Sequence, residues 1–233
     1  MSDDRYRFSF ETVAELYERS RPPYADDAVA WAAERLGIGP SRRVLDLAAG
    51  TGKLTRQLLA LGAEVVAAEP GAEMRGVLRR VLPEVEALAG TAEAIPLADA
   101  SVDAIAVGQA FHWFDAEPAL AEMRRVLRPG GGFALLWNRW DENDPLLGPV
   151  DRLLQAVRPV AAELPRFDGR HEERTFRQRR ALTVDAIVDW ASSMSGWVNA
   201  PREEQGRIER EIRRLAEGYG GEVSIATLAI VVS

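Results

Sequence analysis

The sequence has no cysteine. That excludes disulfides, thiolate nucleophiles and Cys-ligated zinc. It has only two histidines, His112 and His171, and they are far apart, which leaves no His-rich metal site. Lysine is nearly absent as well, with Lys53 standing alone among many arginines. No apolar run is long enough to span a bilayer. Met1 to Arg7 is polar and charged, without the apolar stretch of a secretion signal. The expectation is a cytoplasmic protein with no membrane partner and no metal. The net charge of −7 argues against general nucleic-acid binding. What is present is 233 residues, 47% of them hydrophobic, enough to build the core of one α/β domain.

That domain is organised around Val44-Leu45-Asp46-Leu47-Ala48-Ala49-Gly50-Thr51-Gly52-Lys53-Leu54-Thr55. An apolar run ends on an acid, small residues follow, and a helical pattern begins. This is a strand, a tight turn and a helix start. Gly50 and Gly52 let the backbone bend and lie against a ligand. The first helical turn offers unpaired N–H groups and the positive end of the dipole. Thr55 stands where a dinucleotide fingerprint wants a third glycine, and no Gly-Lys-Ser/Thr follows, which excludes a P-loop. Asp46 is poorly placed for a pyrophosphate and suits an ammonium or sulfonium group. The plainer alternative is an ordinary βα turn.

Taken in order, Phe10, Val13, Ala14 and Tyr17 suggest one helical face, broken at Arg21-Pro22-Pro23-Tyr24. A second helix spans about Asp26 to Leu36 and stops at Gly37. This N-terminal segment, 1–40, is either a helical hairpin packed on the domain or a lid with Tyr17, Arg21 and Tyr24 facing inward. Strands follow at Arg43–Leu47, Glu64–Ala68, Val85–Leu88, Val102–Val107 and Phe133–Trp137. Helices lie between them from Lys53, after Pro70-Gly71, and from Asp115. Pro129 to Gly132 reads as a sharp turn. Alternation at this spacing means right-handed crossovers and a parallel sheet. Beyond Trp140, Asp144 to about Leu164 looks helical, Arg174 to Leu182 reads as a strand, and Thr183 caps a further helix. Glu203 to Glu217 is a charged amphipathic helix. Glu222 to Val232 is a last strand inserted antiparallel. The segments 41–140 and 141–233 serve as cofactor core and substrate side of one domain, 1–233.

Several residues stand where chemistry is expected. Glu69 closes the second strand, where a carboxylate can accept hydrogen bonds from both hydroxyls of a ribose. The simpler role is a charge at a helix N-terminus. Gly90 to Ser101 is a polar loop whose Ala92 and Glu93 backbone can read an adenine, with Met74 and Ile95 covering its faces. Gln109 to Asp115 follows the fourth strand, and there His112 is either a general base or a structural histidine. Trp113, Trp137, Trp140, Trp190 and Trp197 are either core or an aromatic acceptor pocket. Arg139 sits beside Trp137 at the end of the fifth strand. Arg177, Arg179 and Arg180 either bind an anion or solvate a strand edge.

The ordered motifs VLDLAAGTG (44–52), AAEP (67–70), GTAEAIPLADASVDAI (90–105) and RRVLRPGGGFALL (124–136) resemble the class I S-adenosylmethionine-dependent methyltransferases, and most closely their type-11-like small-molecule branch. Tyr17…Arg21-Pro22-Pro23-Tyr24 and Phe111-His112-Trp113-Phe114-Asp115 are similar to trans-aconitate methyltransferase-like members. The resemblance covers about Phe8 to Trp137 well. It implies a Rossmann-like fold: a mostly parallel seven-stranded sheet with an antiparallel last strand and a helical lid. It implies S-adenosylmethionine as cofactor and a small-molecule acceptor; the sequence leaves monomer and homodimer both open. Asp46, Ala48, Ala49, Gly50 and Gly52 would hold the methionine part, and Glu69, with Pro70 beside it, the ribose. Met74, Ala92 and Glu93 would surround adenine, Gln109 would line the sulfonium, and Arg21 would pair with the cofactor carboxylate. Tyr17, Tyr24, His112, Trp113, Trp137 and Arg139 would meet the acceptor. Two departures stand out: Ala48 replaces the usual first glycine, and Thr91 replaces an acid that bonds the adenine amino group. Asn-Pro-Pro-Tyr and Asp-Pro-Pro-Tyr are missing, against a nucleic-acid adenine methylase. The competing readings are a nicotinamide-dependent oxidoreductase and a cofactor-binding protein without catalysis.

Overall fold

The computed structural model describes residues 13–157, 167 and 170–233. Phe10, Pro159 and the 158–164 end of the expected sixth helix lie outside the described residues. Two helices lead in, α1 (Ala14–Ser20) and α2 (Asp26–Leu36), with Gly37 ending α2 in the left-handed conformation at φ +61°. The alternating core follows: β1 (Arg43–Leu47), α3 (Lys53–Ala60), β2 (Glu64–Ala68), α4 (Ala72–Val81), β3 (Glu86–Leu88), β4 (Val102–Gly108), α5 (Ala116–Val126) and β5 (Leu127–Trp140). The C-terminal part holds α6 (Leu147–Gln155), β6 (His171–Arg180), α7 (Val184–Ser192), α8 (Ser195–Val198), α9 (Arg202–Leu215) and β7 (Val223–Val232).

The seven strands are ordered β3-β2-β1-β4-β5-β7-β6. The pairs β3–β2, β2–β1, β1–β4 and β4–β5 are parallel, and β7 runs antiparallel to both β5 and β6. The expected inserted last strand is therefore present. Strand order reverses between β1 and β4, and the crevice at their carboxyl ends is where open α/β sheets take ligands.

Alternation along the strands divides the core. Leu45, Leu47, Ile105, Val107 and Leu135 pack with Ala119, Met123 and Val126 of α5 on one face. Val44, Ala104, Ala106, Ala134 and Leu136 pack with Trp31 and Leu36 of α2 and Leu54 and Leu58 of α3 on the other. A separate cluster joins α6, α7, α8 and α9 to the end of the sheet through Trp140, Trp190, Trp197, Ile212 and Ile225.

Several boundaries differ from expectation: β6 spans His171–Arg180 rather than Arg174–Leu182, and β5 runs on to Trp140. β5 begins at Leu127, not Phe133. Leu127 pairs with Val102 and Gly132 with Ala104, so residues 128–131 bulge past Asp103 alone. Asp103 holds this bulge through Arg128 at 2.9 Å and takes the Arg43 N–H at 2.8 Å. Asp144 lies outside α6 and caps it instead, with Oδ1 accepting the N–H groups of Leu146 and Leu147 at 3.0 and 2.8 Å. Thr183 caps α7 as expected, its hydroxyl accepting from the Ala186 N–H at 3.1 Å.

Candidate active site

The β1–α3 turn is built from unusual backbone. Ala48, Gly50 and Gly52 have φ of +57°, +58° and +88°. Asp46, fully buried at the end of β1, accepts the Thr55 hydroxyl on Oδ2 at 2.5 Å. Its Oδ1 and the Thr51 hydroxyl are buried with no partner among the described residues. Burial, aided by the Glu69 charge and opposed by the Thr55 bonds, pushes the Asp46 carboxyl up to about 7.

Glu69 ends β2 and faces the same turn. Its Oε2 accepts the Gly50 N–H at 2.8 Å and its Oε1 the Gly71 N–H at 2.8 Å. Arg75 bonds the Glu69 and Pro70 carbonyls at 2.7 and 3.0 Å and fixes the start of α4. Met74 is buried against Ala14, Val77 and Tyr17, so α1 lies over α4. Ala92 and Ile95 belong to the α5 side of the core, and Thr91 is half-buried. The Glu93 carboxylate takes the Asp115 N–H at 3.0 Å and so serves the start of α5.

Gln109, just past β4, has φ +60°. Its N–H donates to the Leu136 carbonyl at 2.8 Å and its side-chain amide to the Asn138 carbonyl at 2.9 Å. A narrow cavity opens here, lined by Tyr17, Arg21, Pro22, Tyr24, Lys53, Gln109, Asn138 and Trp190. Arg21 spans to α7, with Nε on the Ser193 hydroxyl at 2.7 Å and Nη2 on the Ser193 carbonyl at 3.1 Å, and its guanidinium lies 4.9 Å from the Tyr17 ring centre. Burial raises the phenols of Tyr17 and Tyr24 and lowers Lys53, whose Nζ donates to the Glu18 carbonyl at 2.5 Å. The Tyr24 hydroxyl sits where a Cβ on Gly108 would stand, 2.3 Å away, so glycine is required there.

His112 lies in a short 3-10 helix, Phe111–Trp113. Its Nδ1 accepts the Trp137 indole N–H at 3.3 Å, and burial lowers its pKa to about 4. The ring is therefore neutral at pH 7 with its proton on Nε2, a donor.

Tyr17, Arg21, Tyr24 and Gln109 thus converge on one cavity. Asp46, the 48–52 turn and Glu69 form a second, contiguous group along the β1 and β2 ends. Trp137 packs on the α5 side of β5 with His112, and Arg139 is exposed; neither lines the cavity. Asn138, Lys53 and Trp190 do. In the sequence the Trp137-Asn138-Arg139 run is the part of a possible acceptor pocket expected to face it, and of the three only Asn138 does. Period-two alternation puts Asn138 on the face opposite Trp137. Lys53 carried a signal as the single lysine beside the glycine turn, and Trp190 only its place among the downstream tryptophans. Among the described residues, no group of acids and histidines could hold a metal.

Parallel strands, a switch point between β1 and β4, a positive-φ turn and a β2-terminal carboxylate define a Rossmann-like transferase core. The chain belongs to the class I S-adenosylmethionine-dependent methyltransferases. The methyltransferase domain family matches residues 45–135. An uncharacterized methyltransferase of Mycobacterium tuberculosis is 41% identical over 213 residues, spanning 89% of this chain and 85% of that one. An uncharacterized methyltransferase of Schizosaccharomyces pombe is 35% identical over 216 residues, 88% and 85% of the two chains. A demethylmenaquinone methyltransferase of Renibacterium salmoninarum is 35% identical over 135 residues, 55% of each chain. A solved structure assigned as a type II methyltransferase of Anaeromyxobacter dehalogenans superposes with a TM-score of 0.64 at 28% identity, covering 91% of this chain and 96% of that one. The chain is therefore an enzyme that transfers methyl groups, and its family implies S-adenosylmethionine as the donor.

Proposed function

We propose that this enzyme methylates a small molecule, with S-adenosylmethionine held along the carboxyl ends of β1, β2 and β4. One observation carries the cofactor assignment. Two carboxylates flank the 48–52 turn, and the more buried one has an acceptor oxygen in reserve. Glu69 is oriented by the Gly50 and Gly71 N–H groups at the end of β2. Asp46 presents a buried Oδ1 without a partner among the described residues. An unsatisfied buried oxygen costs about 1–3 kcal/mol, and a cationic methionine end placed near it relieves that cost.

In this reading Ala48, Ala49, Gly50 and Gly52 pass beneath the methionine part. Pro70, Met74, Thr91, Ala92 and Glu93 flank the adenine, with the Glu93 backbone rather than its engaged carboxylate available to the ring. Gln109 borders the sulfonium, and Arg21 faces the cofactor carboxylate. The bound cofactor supplies an electrophilic methyl group on sulfur. The protein's part is to align an acceptor for in-line attack and to keep water out. Tyr17 and Tyr24, which line the cavity, are assigned to the acceptor side, and Trp113 and Trp137 there only through their contacts with His112. His112 is assigned there too. Held neutral with Nδ1 occupied, it offers Nε2–H to orient an acceptor oxygen or nitrogen, a better match to its surroundings than proton abstraction. The name of the Renibacterium relative, a demethylmenaquinone methyltransferase, supports a small acceptor.

The test is calorimetric titration of the purified chain with S-adenosylhomocysteine and, separately, NADH. Micromolar binding of the first alone is expected. In Glu69→Gln the affinity should fall at least tenfold, the loss of about one charged hydrogen bond. Undiminished binding would remove Glu69 from the ribose. Tight NADH binding in place of S-adenosylhomocysteine would overturn the cofactor.

A further inference from the structure

β6 ends the sheet, paired with β7 on one side and with no described strand on the other. It is ten residues long, and its register with β7 runs unbroken from His171 to Arg180. Folded proteins usually keep edge strands short, bulged or proline-bearing, because a free row of N–H and C=O groups templates another strand. Among the described residues charged side chains mark this edge, and its two ends differ in sign. Glu172 and Glu173 stand at the start of the strand and Arg179 and Arg180 at its end, with Arg174 and Arg177 between them.

Such a strand is complementary to itself in one arrangement. Laid antiparallel about a two-fold axis at Phe176, a second copy sets Glu172 opposite Arg180 on one face and Glu173 opposite Arg179 on the other. Phe176 then falls opposite Phe176. Parallel pairing in register sets acid on acid and arginine on arginine. Directly opposed unlike charges stabilise a pair and like charges destabilise it. The sorted pattern therefore blocks parallel stacking and favours the closed, symmetric pairing.

Nothing already made by these side chains prevents it. Glu173 and Arg180 have no ion pair among the described residues, and those of Glu172 with Arg35 (3.2 Å) and Arg179 with Glu222 (3.3 Å) are exposed and can be shared. Phe176 is half-buried on Trp31, 5.8 Å between ring centres, with Arg174 4.9 Å from its ring centre. We propose that two copies of this chain pair antiparallel through β6, joining their two seven-stranded sheets into one continuous sheet.

The test is light scattering on the eluting protein across a hundredfold range of concentration. The parent should reach twice 25.6 kDa at the upper end, and raising the salt concentration should shift it toward the monomer. The double variant Glu172→Arg/Glu173→Arg puts arginine at both ends of the strand, and Arg179→Glu/Arg180→Glu puts acid at both ends. Each alone should be a folded monomer by circular dichroism. An equimolar mixture should restore the dimer, since positions 172, 173, 179 and 180 are then all opposed by unlike charges. A parent that stays monomeric throughout overturns the proposal. So does a dimer that survives both variants or is indifferent to salt, and so does a mixture of folded variants that stays monomeric. The titration with S-adenosylhomocysteine is independent of all these outcomes.

Discussion

Ala48 and Gln109 are two of only four described non-glycine residues with positive φ. They follow β1 and β4, the two strands that bound the switch point, so backbone strain is concentrated where the ligand is proposed to lie. At Ala48 a Cβ meets a conformation that costs an L-residue about 1 kcal/mol or more. Ala48→Gly should therefore raise the unfolding free energy by up to about 1 kcal/mol, net of glycine's greater chain entropy. Urea unfolding measures it, and a loss of stability would mean that the methyl group makes a contact worth more than the strain. His112 carries a second prediction. Its folded pKa of about 4 lies below the ordinary 6.5, so between these values the unfolded chain binds more protons. Its contribution is complete above pH 6.5 and is lost as pH falls toward 4, by about 3 kcal/mol. Asp46, raised to about 7, acts with the opposite sign in nearly the same window. Comparison with His112→Asn cancels Asp46, because asparagine can still accept from Trp137 but does not titrate. The stability difference between parent and variant should shrink by that amount between pH 7 and pH 4. A constant difference would show that His112 is not held neutral.

At the scale of elements, the Pro22–Tyr24 link is strapped down from three directions. The Asn138 amide donates to the Pro22 and Pro23 carbonyls at 3.1 and 3.0 Å, and its own oxygen accepts the Thr227 hydroxyl at 2.7 Å. Gln178 donates to the Pro23 carbonyl at 2.9 Å, and Gln57 exchanges hydrogen bonds with the backbone of Tyr24 at 3.2 and 2.9 Å. Thr227 in turn accepts the Ala25 N–H at 3.1 Å. Asn138→Ala removes the donor to the Pro22 carbonyl and the acceptor of the Thr227 hydroxyl at a half-buried site and leaves the Pro23 carbonyl to Gln178 alone, a loss of about 2–3 kcal/mol. Amide exchange at Tyr24 and Ala25 should accelerate with it; unchanged protection would mean that Gln57 and Thr227 suffice to hold the link. None of this strap was legible in the sequence, because its partners lie 33 to 202 residues apart and are ordinary polar types. The elements themselves were legible. Asp26 to Leu36 ends on a left-handed glycine, Thr183 caps its helix, and β7 is a β-branched apolar run, all local signals. β5 was misjudged at its start because Pro129 to Gly132 carries turn chemistry, while pairing with β4 draws Leu127 into the sheet.

The whole molecule brings three distant parts of the chain to one cavity. Arg21 and Tyr24 come from the lead-in, Gln109 and Asn138 from the sheet, and Trp190 from the C-terminal helices. The sequence exposed the cofactor end of this site, since a glycine turn and an acid 19 residues later are local in the chain. The C-terminal wall was hidden, since a tryptophan on an amphipathic helix reads as core, and Trp190 is core as well. It stacks on Trp140 at 4.1 Å with the rings 12° apart, inside the cluster that holds α6 to α9 together. Yet its indole N–H is buried beside the cavity without a partner among the described residues. A ligand entering between Arg21 and Gln109 should change the polarity around that indole and shift its emission. Titration of the parent with S-adenosylhomocysteine should therefore change tryptophan fluorescence. In Trp190→Phe most of the change should vanish while calorimetric binding persists within about threefold, roughly half a kcal/mol. Trp113→Phe, on the other side of β5, should keep the full signal. If the signal instead survives Trp190→Phe, the C-terminal helices do not border the cofactor, and the cavity belongs to the acceptor alone.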